Sequence, residues 1–338
     1  MSTGISTAHH TSRPRAFREA LEGDDLLILP AAFNALTARI AEEVGFKAVF
    51  AAGQAIVNHL MSLPDYGYLS LTDMATVVRY MTRATRLPVF VDADTGYGTA
   101  VHVIRAVQEL EGAGAAGMFI EDQDSPPRGG HIAGRGLISA EEMAGKIRAA
   151  VDARHDPDFV IGARTDARGV LGPDEAIRRG NLYAEAGADL TFLEGPLSLE
   201  EMERFAKEVD SRYKLVNMGG AGAQRTTPRP PLAEVRAMGY SVGIFAGNVA
   251  RSAAKGVWDY LTDLHARGSA ADLDFIASVK GYPFENWYSW TGYDEMREYE
   301  QRYLPPDVVA RRYDQAQPGY YVPTAAGSGG DGRPKTKA

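Results

Sequence analysis

Eight apolar runs recur along the chain, and an amphipathic stretch follows each of them. They read LLILPA (26–31), AVFAAG (48–53), PVFVDAD (88–94), GMFIED (117–122), FVIGART (159–165), LTFLEG (190–195), KLVNMG (214–219) and SVGIFAG (241–247). Near-continuous apolar runs of this length suit parallel strands buried on both faces. The clearest helical patterns between them are LTDMATVVRYMTRATR, VHVIRAVQELEGAG, SAEEMAGKIRAAVDARH, PDEAIRRGNLYAEAGAD and SLEEMERFAKEVD. Eight such units predict an α/β fold, a (β/α)8 TIM-type barrel. The alternative, a doubly wound open sheet, usually has fewer units and a Gly-rich loop after its first strand. Here FNALTA follows the first strand and holds no glycine.

This reading gives residues 13–268 to the barrel and 269–322 to a C-terminal helical arm. A barrel does not need the arm. Its Trp287, Tyr288 and Trp290 favour a buried contact, either on the barrel's outside or on a neighbouring subunit. The first 12 residues and the Gly/Ser/Lys-rich stretch 323–338 read as disordered.

Composition removes several function classes. The net charge is −8, and no run of Lys or Arg reaches any length, so neither nucleic acid nor a membrane surface is expected as a partner. There is no cysteine, which excludes disulfides, zinc–thiolate centres and Cys nucleophiles. The opening MSTGISTAHHTSRPR lacks a signal-type apolar core. No stretch of about 18 or more apolar residues suggests a membrane span. The expectation is a soluble cytoplasmic protein.

Chemistry in a parallel barrel gathers at the C-terminal ends of the strands. Read in turn, those ends carry Ala52-Gly53, Asp92 and Asp94, Glu121 and Asp122, Arg164 and Asp166, Glu194 and Asn217. Asp92, Asp94 and Glu121 come from adjacent strands, and three carboxylates that close repel unless a cation sits among them. An all-oxygen set with room for water suits Mg²⁺, with Mn²⁺ second. A single Asp at a strand end can equally cap the next helix or pair with Arg. Arg164 has the fork that matches a carboxylate or phosphate, although Glu194 or Asp166 could also hold it. The stretch EDQDSPPRGGHIAGRG (121–136) puts His131 on a Gly-rich loop with little core to bury it, which favours a functional role. His59, His102, His155 and His265 fall in helical patterns and read as structural. GGAG (219–222) lacks the Lys-Ser/Thr ending of a phosphate loop.

Together, LPDYGY (63–68), VDADTGYG (91–98), IEDQ (120–123), GARTDAR (162–168), YAEAGAD (183–189), FLEGP (192–196) and VNM (216–218) resemble the isocitrate lyase/phosphoenolpyruvate mutase superfamily, in the family's order from about residue 14 to 304. The resemblance implies a (β/α)8 barrel with Mg²⁺ in its mouth. Asp92, Asp94 and Glu121 would hold the ion directly or through water, and Asp65 would support its water shell. Backbone N–H groups around Ala52 and Gly53 would bind the carboxylate of a 2-oxo acid or its enolate. Arg164 would grip the substrate, with Glu194 and Asn217 orienting the groups around it; Asp92 and Gly130 would line the same place. Members typically swap a C-terminal helix between subunits and form tetramers, which implies a homotetramer or dimer here.

Members of the superfamily make or break a bond to C3 of a pyruvate-like unit through a metal-stabilised enolate. Their lyases carry a loop Lys-Lys/Arg-Cys-Gly-His, whose Cys protonates the leaving carbanion. Here PPRGGH (126–131) has Pro127 for the first Lys and Gly129 for the Cys, while Gly130 and His131 remain and Arg135 takes the usual basic place. Ala52 replaces a common hydroxyl residue, and Gly220 stands where many lyases have a Glu. The leading expectation is therefore a Mg²⁺-dependent carbon–carbon lyase, decarboxylase or hydrolase acting on a small 2-hydroxy or 2-oxo dicarboxylate. With no loop Cys, the proton would come from water, His131 or a substrate group. The alternatives are a mutase or hydrolase at a C–P bond, and a family member that binds a metabolite without turning it over.

Overall fold

The computed structural model describes residues 12–130, 132–219, 227–313, 316 and 319–324. All eight apolar runs are strands: β1 (Leu27–Ala32), β2 (Val49–Ala51), β3 (Val89–Asp92), β4 (Gly117–Glu121), β5 (Val160–Thr165), β6 (Leu190–Leu193), β7 (Tyr213–Asn217) and β8 (Val242–Phe245). They close in chain order into a parallel barrel, with β8 returning to β1 so that Val242 lies opposite Leu27. The helices are α1 (Arg13–Leu21), α2 (Ala35–Val44), α3 (Gly53–Met61), α4 (Leu71–Ala84), α5 (Ala100–Gly112), α6 (Ala140–Ala153), α7 (Ala167–Leu171), α8 (Pro173–Glu185), α9 (Leu199–Glu208), α10 (Leu232–Met238), α11 (Asn248–Arg267), α12 (Ser269–Ser278), α13 (Trp287–Thr291), α14 (Tyr293–Tyr303) and α15 (Pro306–Tyr313). The chain divides into two compact units between Ala254 and Lys255, inside α11.

In the barrel unit the interior is packed with rings rather than open. Phe119 meets Phe50 at 5.8 Å, Phe90 at 5.9 Å and Phe192 at 5.6 Å between centroids. Phe17 of α1 stacks on Phe90 at 5.1 Å, so α1 packs onto the same aromatic set. Each ring is at most 2% exposed, and full burial of such a side chain stabilises by roughly 1.5–3 kcal/mol. Outer helices start where the sequence supplies caps. Ser70 and Asp73 form a reciprocal capping box at α4, and Ser139 and Ser198 accept from the third-residue N–H of α6 and α9.

One helical expectation needs correcting. His155 is not in a helix: α6 stops at Ala153, because Arg154 turns extended and donates to Phe159 O and Asp189. The other predicted structural histidines behave as expected. His59 stacks on Phe33 with ring centroids 3.9 Å apart, His102 caps α5 with Thr99, and His265 lies in α11.

The second unit holds the rest of α11 and α12 to α15. Of its three predicted contact aromatics, Trp290 is buried at 8% exposure, against Phe284 and Trp287. Trp287 and Tyr288 are half exposed. Of the terminal segments read as disordered, 1–11 and 325–338 lie outside the described residues. Ser12 caps α1, Pro323 O accepts from Arg297, and Thr324 N–H donates to Asp294 at 2.7 Å. Among the described residues no helix is long and apolar enough to cross a membrane.

Candidate active site

The strand register builds the site. Glu121 and Arg164 are direct partners across β4 and β5, so their side chains leave the barrel side by side. Arg164 Nη1 lies 3.1 Å from Glu121 Oε2, and Nε lies 4.0 Å from Glu194 Oε2. The same guanidinium grips Asp166 in a fork, Nε to Oδ2 at 2.9 Å and Nη2 to Oδ1 at 3.0 Å. It lies 5.4 Å from the Phe192 ring centroid, at the top of the aromatic interior. Burial disfavours its charge, but Asp166, Glu121 and Glu194 outweigh that and hold it firmly protonated.

β3 ends in a turn that folds back on the rim. Asp94 takes the left-handed region at φ 48°, its N–H donates to Asp92 Oδ1 at 3.2 Å, and its carbonyl accepts Glu121 N–H at 2.8 Å. Asp and Asn tolerate that conformation better than other non-glycine residues. Both acids thus sit beside Glu121. Burial pushes the Asp94 carboxyl well above the usual carboxylate range, and the charges of Asp92 and Asp65 push it further. Burial also raises Asp92 and Glu121, with Arg164 pulling both back. Asp65, on the loop before α4, is raised to about 6 by burial first and by Asp92 second.

Among the described residues no three His, Asp or Glu close into a tight ligand cage. The donor set nonetheless suits a hard cation by charge. Asp65, Asp92, Asp94, Glu121, Asp166 and Glu194 influence one another around Arg164, and Arg135 is also bonded there. Mg²⁺ keeps several waters and needs one or two carboxylates directly, so a loose oxygen set is compatible with it.

Next to β3 on the rim, after β2, α3 begins at Gly53, and no side chain caps it. Ala52 N–H reaches Ala32 O at 3.4 Å, and a Cβ on Gly53 would lie 3.2 Å from Asp92 Oδ2. Asn217 ends β7, and its Oδ1 accepts Gly219 N–H at 3.0 Å.

The loop after β4 lies over these groups. Its stem is tied by Asp124 N–H to Gly136 O at 3.1 Å and by both Gln123 amide atoms to the Arg128 backbone. The Ser125–Pro126 bond is cis. Pro126 and Pro127 cover Gly67, where a Cβ would lie 2.9 Å from Pro127 Cδ. Arg128 lies over the Tyr66 ring at 4.9 Å, and Gly129 N–H donates to Asp65 O at 3.3 Å. Gly130 presses on the site itself: a Cβ there would lie 2.6 Å from Arg164 Nη2 and from Glu194 Cγ. His131, Gly220 and most of GGAG (219–222) lie outside the described residues.

Asp65, Asp92, Asp94, Glu121, Gly130, Arg164 and Glu194 are therefore neighbours, Gly53 adjoins Asp92, and Ala52 and Asn217 lie at the ends of β2 and β7. Two features went unread in the sequence. Arg135 of the loop pairs with the fully buried Asp166. Asp122, also fully buried, binds Thr165 Oγ1, Asp166 N–H, Arg179 and the Tyr183 hydroxyl, all at 2.8–2.9 Å. The buried position of Asp122 beside Glu121 was the available signal; its partners lie 43 to 61 residues away in the chain.

A closed parallel barrel with acids and an arginine at the C-terminal ends of its strands defines a barrel enzyme whose chemistry sits in that mouth. Residues 17–265 match the phosphoenolpyruvate phosphomutase family, and the chain belongs to it, within the PEP mutase/isocitrate lyase superfamily. It is 42% identical over 285 residues to the 2-methylisocitrate lyase of Aeropyrum pernix, covering 84% of this chain and 88% of that one. It is 39% identical to the 2,3-dimethylmalate lyase of Eubacterium barkeri, covering 85% and 96%. Among solved structures, an oxaloacetate acetylhydrolase bound to 3,3-difluorooxalacetate superimposes with a TM-score of 0.76 at 29% identity, covering 86% of this chain and 96% of that one. A phosphonopyruvate hydrolase complexed with oxalate and Mg²⁺ does so with a TM-score of 0.76 at 29% identity, covering 87% and 100%.

Proposed function

We propose that the chain is a Mg²⁺-dependent carbon–carbon lyase or hydrolase acting on a small 2-hydroxy or 2-oxo dicarboxylate. The observation that carries this reading is the excess of buried acids over the arginines, Arg164 and Arg135, that meet them at the mouth among the described residues. The lyase and hydrolase relatives support it.

Asp92, Asp94 and Glu121 would hold the ion, with Asp65 behind its water. When bound, the ion would supply positive charge that stabilises an oxyanion developing on the substrate. Arg164, already a cation and fixed by Asp166, binds a substrate carboxylate or oxyanion. The start of α3 at Ala52 and Gly53 has no side-chain cap, and the positive end of that helix favours the other carboxylate nearby. Glu194 and Asn217 orient the groups around it. With no side chain, Gly130 seats directly against Arg164 and Glu194 and brings the loop close over the bond that breaks. In a 2-hydroxy acid, or in the hydrate a 2-oxo acid forms with water, the C2 hydroxyl gives up its proton, its oxygen becomes the carbonyl as the C2–C3 bond breaks, and the pair of that bond passes to the departing carboxylate fragment, which then takes up a proton. Gly129 supplies no proton, so that proton comes from water, His131 or the substrate.

The test is incubation with Mg²⁺ and a panel of 2-hydroxy and 2-oxo dicarboxylates, read by mass spectrometry. Cleavage of at least one of them is expected. No product from any member, with tight binding of one, would show a binder instead. A C–P bond hydrolase is the second reading, favoured by the likeness to phosphonopyruvate hydrolase. Phosphate release from phosphonopyruvate would establish it. The half-exposed Trp287 and Tyr288 support a homo-oligomer built through the arm 269–322.

A further inference from the structure

Asp166 cannot be understood as the partner of Arg164 alone. Left as a pair, a buried Asp and Arg cancel, and the guanidinium has little charge to offer a substrate. Here Asp166 Oδ1 takes both Arg164 Nη2 and Arg135, which arrives from the loop 31 residues earlier. The trio Arg164–Asp166–Arg135 carries one net positive charge instead of none, set against the carboxylates of Glu121 and Glu194 that also face Arg164. The barrel has a prepared seat for the second arginine. Gly169, inside α7, has no side chain where the guanidinium lies, and a Cβ there would stand 2.2 Å from Arg135 Nη2. Asp166 is fixed from behind, since its N–H donates to Asp122 Oδ1 at 2.8 Å. The Arg135 side chain is 11% exposed.

We propose that Arg135 is a positioning residue. Seated on Asp166 and Gly169, it offsets the charge of Asp166, so that fewer uncompensated carboxylates compete with an anionic substrate for Arg164, and it holds the loop backbone against the site. This rests on the reading of Arg164 as the substrate-gripping group. A neutral side chain at 135 leaves the charge of Asp166 to Arg164 alone and the loop without its ionic tie. Gly169→Ala reaches the same end by a different route. Alanine favours a helix interior over glycine by about 0.5–1 kcal/mol, so this variant keeps the fold while removing the seat.

The test uses Arg135→Gln, Arg135→Lys and Gly169→Ala in the full chain, with two readouts. The first is hydrogen–deuterium exchange of segment 124–138 without ligand, where Gly129 N–H and Ile132 N–H are bonded to Asp65 O and Gly129 O. The second is oxalate affinity in the presence of Mg²⁺, by calorimetry. Arg135→Gln and Gly169→Ala are expected to speed loop exchange tenfold or more, with β4 and β5 unchanged, and to weaken oxalate binding about tenfold, while Arg135→Lys recovers most of both. Loop exchange and oxalate affinity within twofold of wild type in both variants would overturn the proposal. So would exchange that rises equally through β4 and β5, since that marks a general structural role. If the wild type binds no oxalate, the functional reading fails on its own, and the loop exchange still decides whether Arg135 ties the loop to the barrel.

Discussion

Asp189 and Asp94 are both largely buried acids of one barrel, placed at opposite ends of its strands. Asp189 precedes β6 and is fully answered: Arg18 donates at 2.9 Å, Arg154 at 2.7 Å and the Ile161 N–H at 3.0 Å. Asp94 follows β3 and is surrounded by charge of its own sign, Asp92 and Asp65 above all. Folding alone rewards the first arrangement and penalises the second. A protein that carries both spends the stability of its N-terminal rim on a strained C-terminal rim. The difference separates acids that hold the fold from acids that await a cation.

Charge removal at the two ends should therefore have opposite effects. The largest is expected at Asp94→Asn, which keeps a side chain suited to the left-handed backbone. Turnover of the substrate found by mass spectrometry should fall roughly a thousandfold, while the melting temperature of the metal-free protein stays level or rises. Wild-type turnover in this variant would remove Asp94 from the site. Asp189→Asn should do the reverse. Leaving Arg18 and Arg154 without their acid should cost about 3 kcal/mol by denaturant unfolding, with activity per folded molecule unchanged. Equal stability in the two variants would erase the contrast.

The smallest effect lies in pH dependence. Asp65 is raised to about 6, above its unfolded value of about 4. The folded state therefore binds more protons than the unfolded state between those limits. Its contribution to stability is full below about 4 and is lost as pH rises through about 6. Asp92, Asp94 and Glu121 are raised as well and act in the same sense. Metal-free protein should lose stability over this window, Asp65→Asn should flatten the curve, and added Mg²⁺ should restore stability most at the higher pH. A melting temperature that climbs from pH 4 to 7 without metal would contradict the account.

The barrel was legible because each strand is buried on both faces and so is written as an unbroken apolar run. The boundaries were less so. AVFAAG yields only Val49–Ala51 as strand, because α3 starts at Gly53. The acids at the rim and Arg164 were legible for a related reason: a polar residue at the end of an apolar run has left the packed interior. What stayed hidden is pairing across the chain. Nothing near Arg135 in the sequence names Asp166 as its partner, and nothing near Asp122 names Arg179 and Tyr183, since these contacts exist only once the helices dock. Gly169 reads locally as a weak helix residue; its role as a seat appears only when the guanidinium lies against it.

Calorimetric titration of Mg²⁺ into the protein in the presence of oxalate tests the central claim most directly. One ion per chain is expected, with affinity that rises as pH increases through about 6 and is lost in Asp94→Asn. Absence of Mg²⁺ binding in the wild type, or equal binding in Asp94→Asn, would show that the crowded acids at the barrel mouth serve some other purpose.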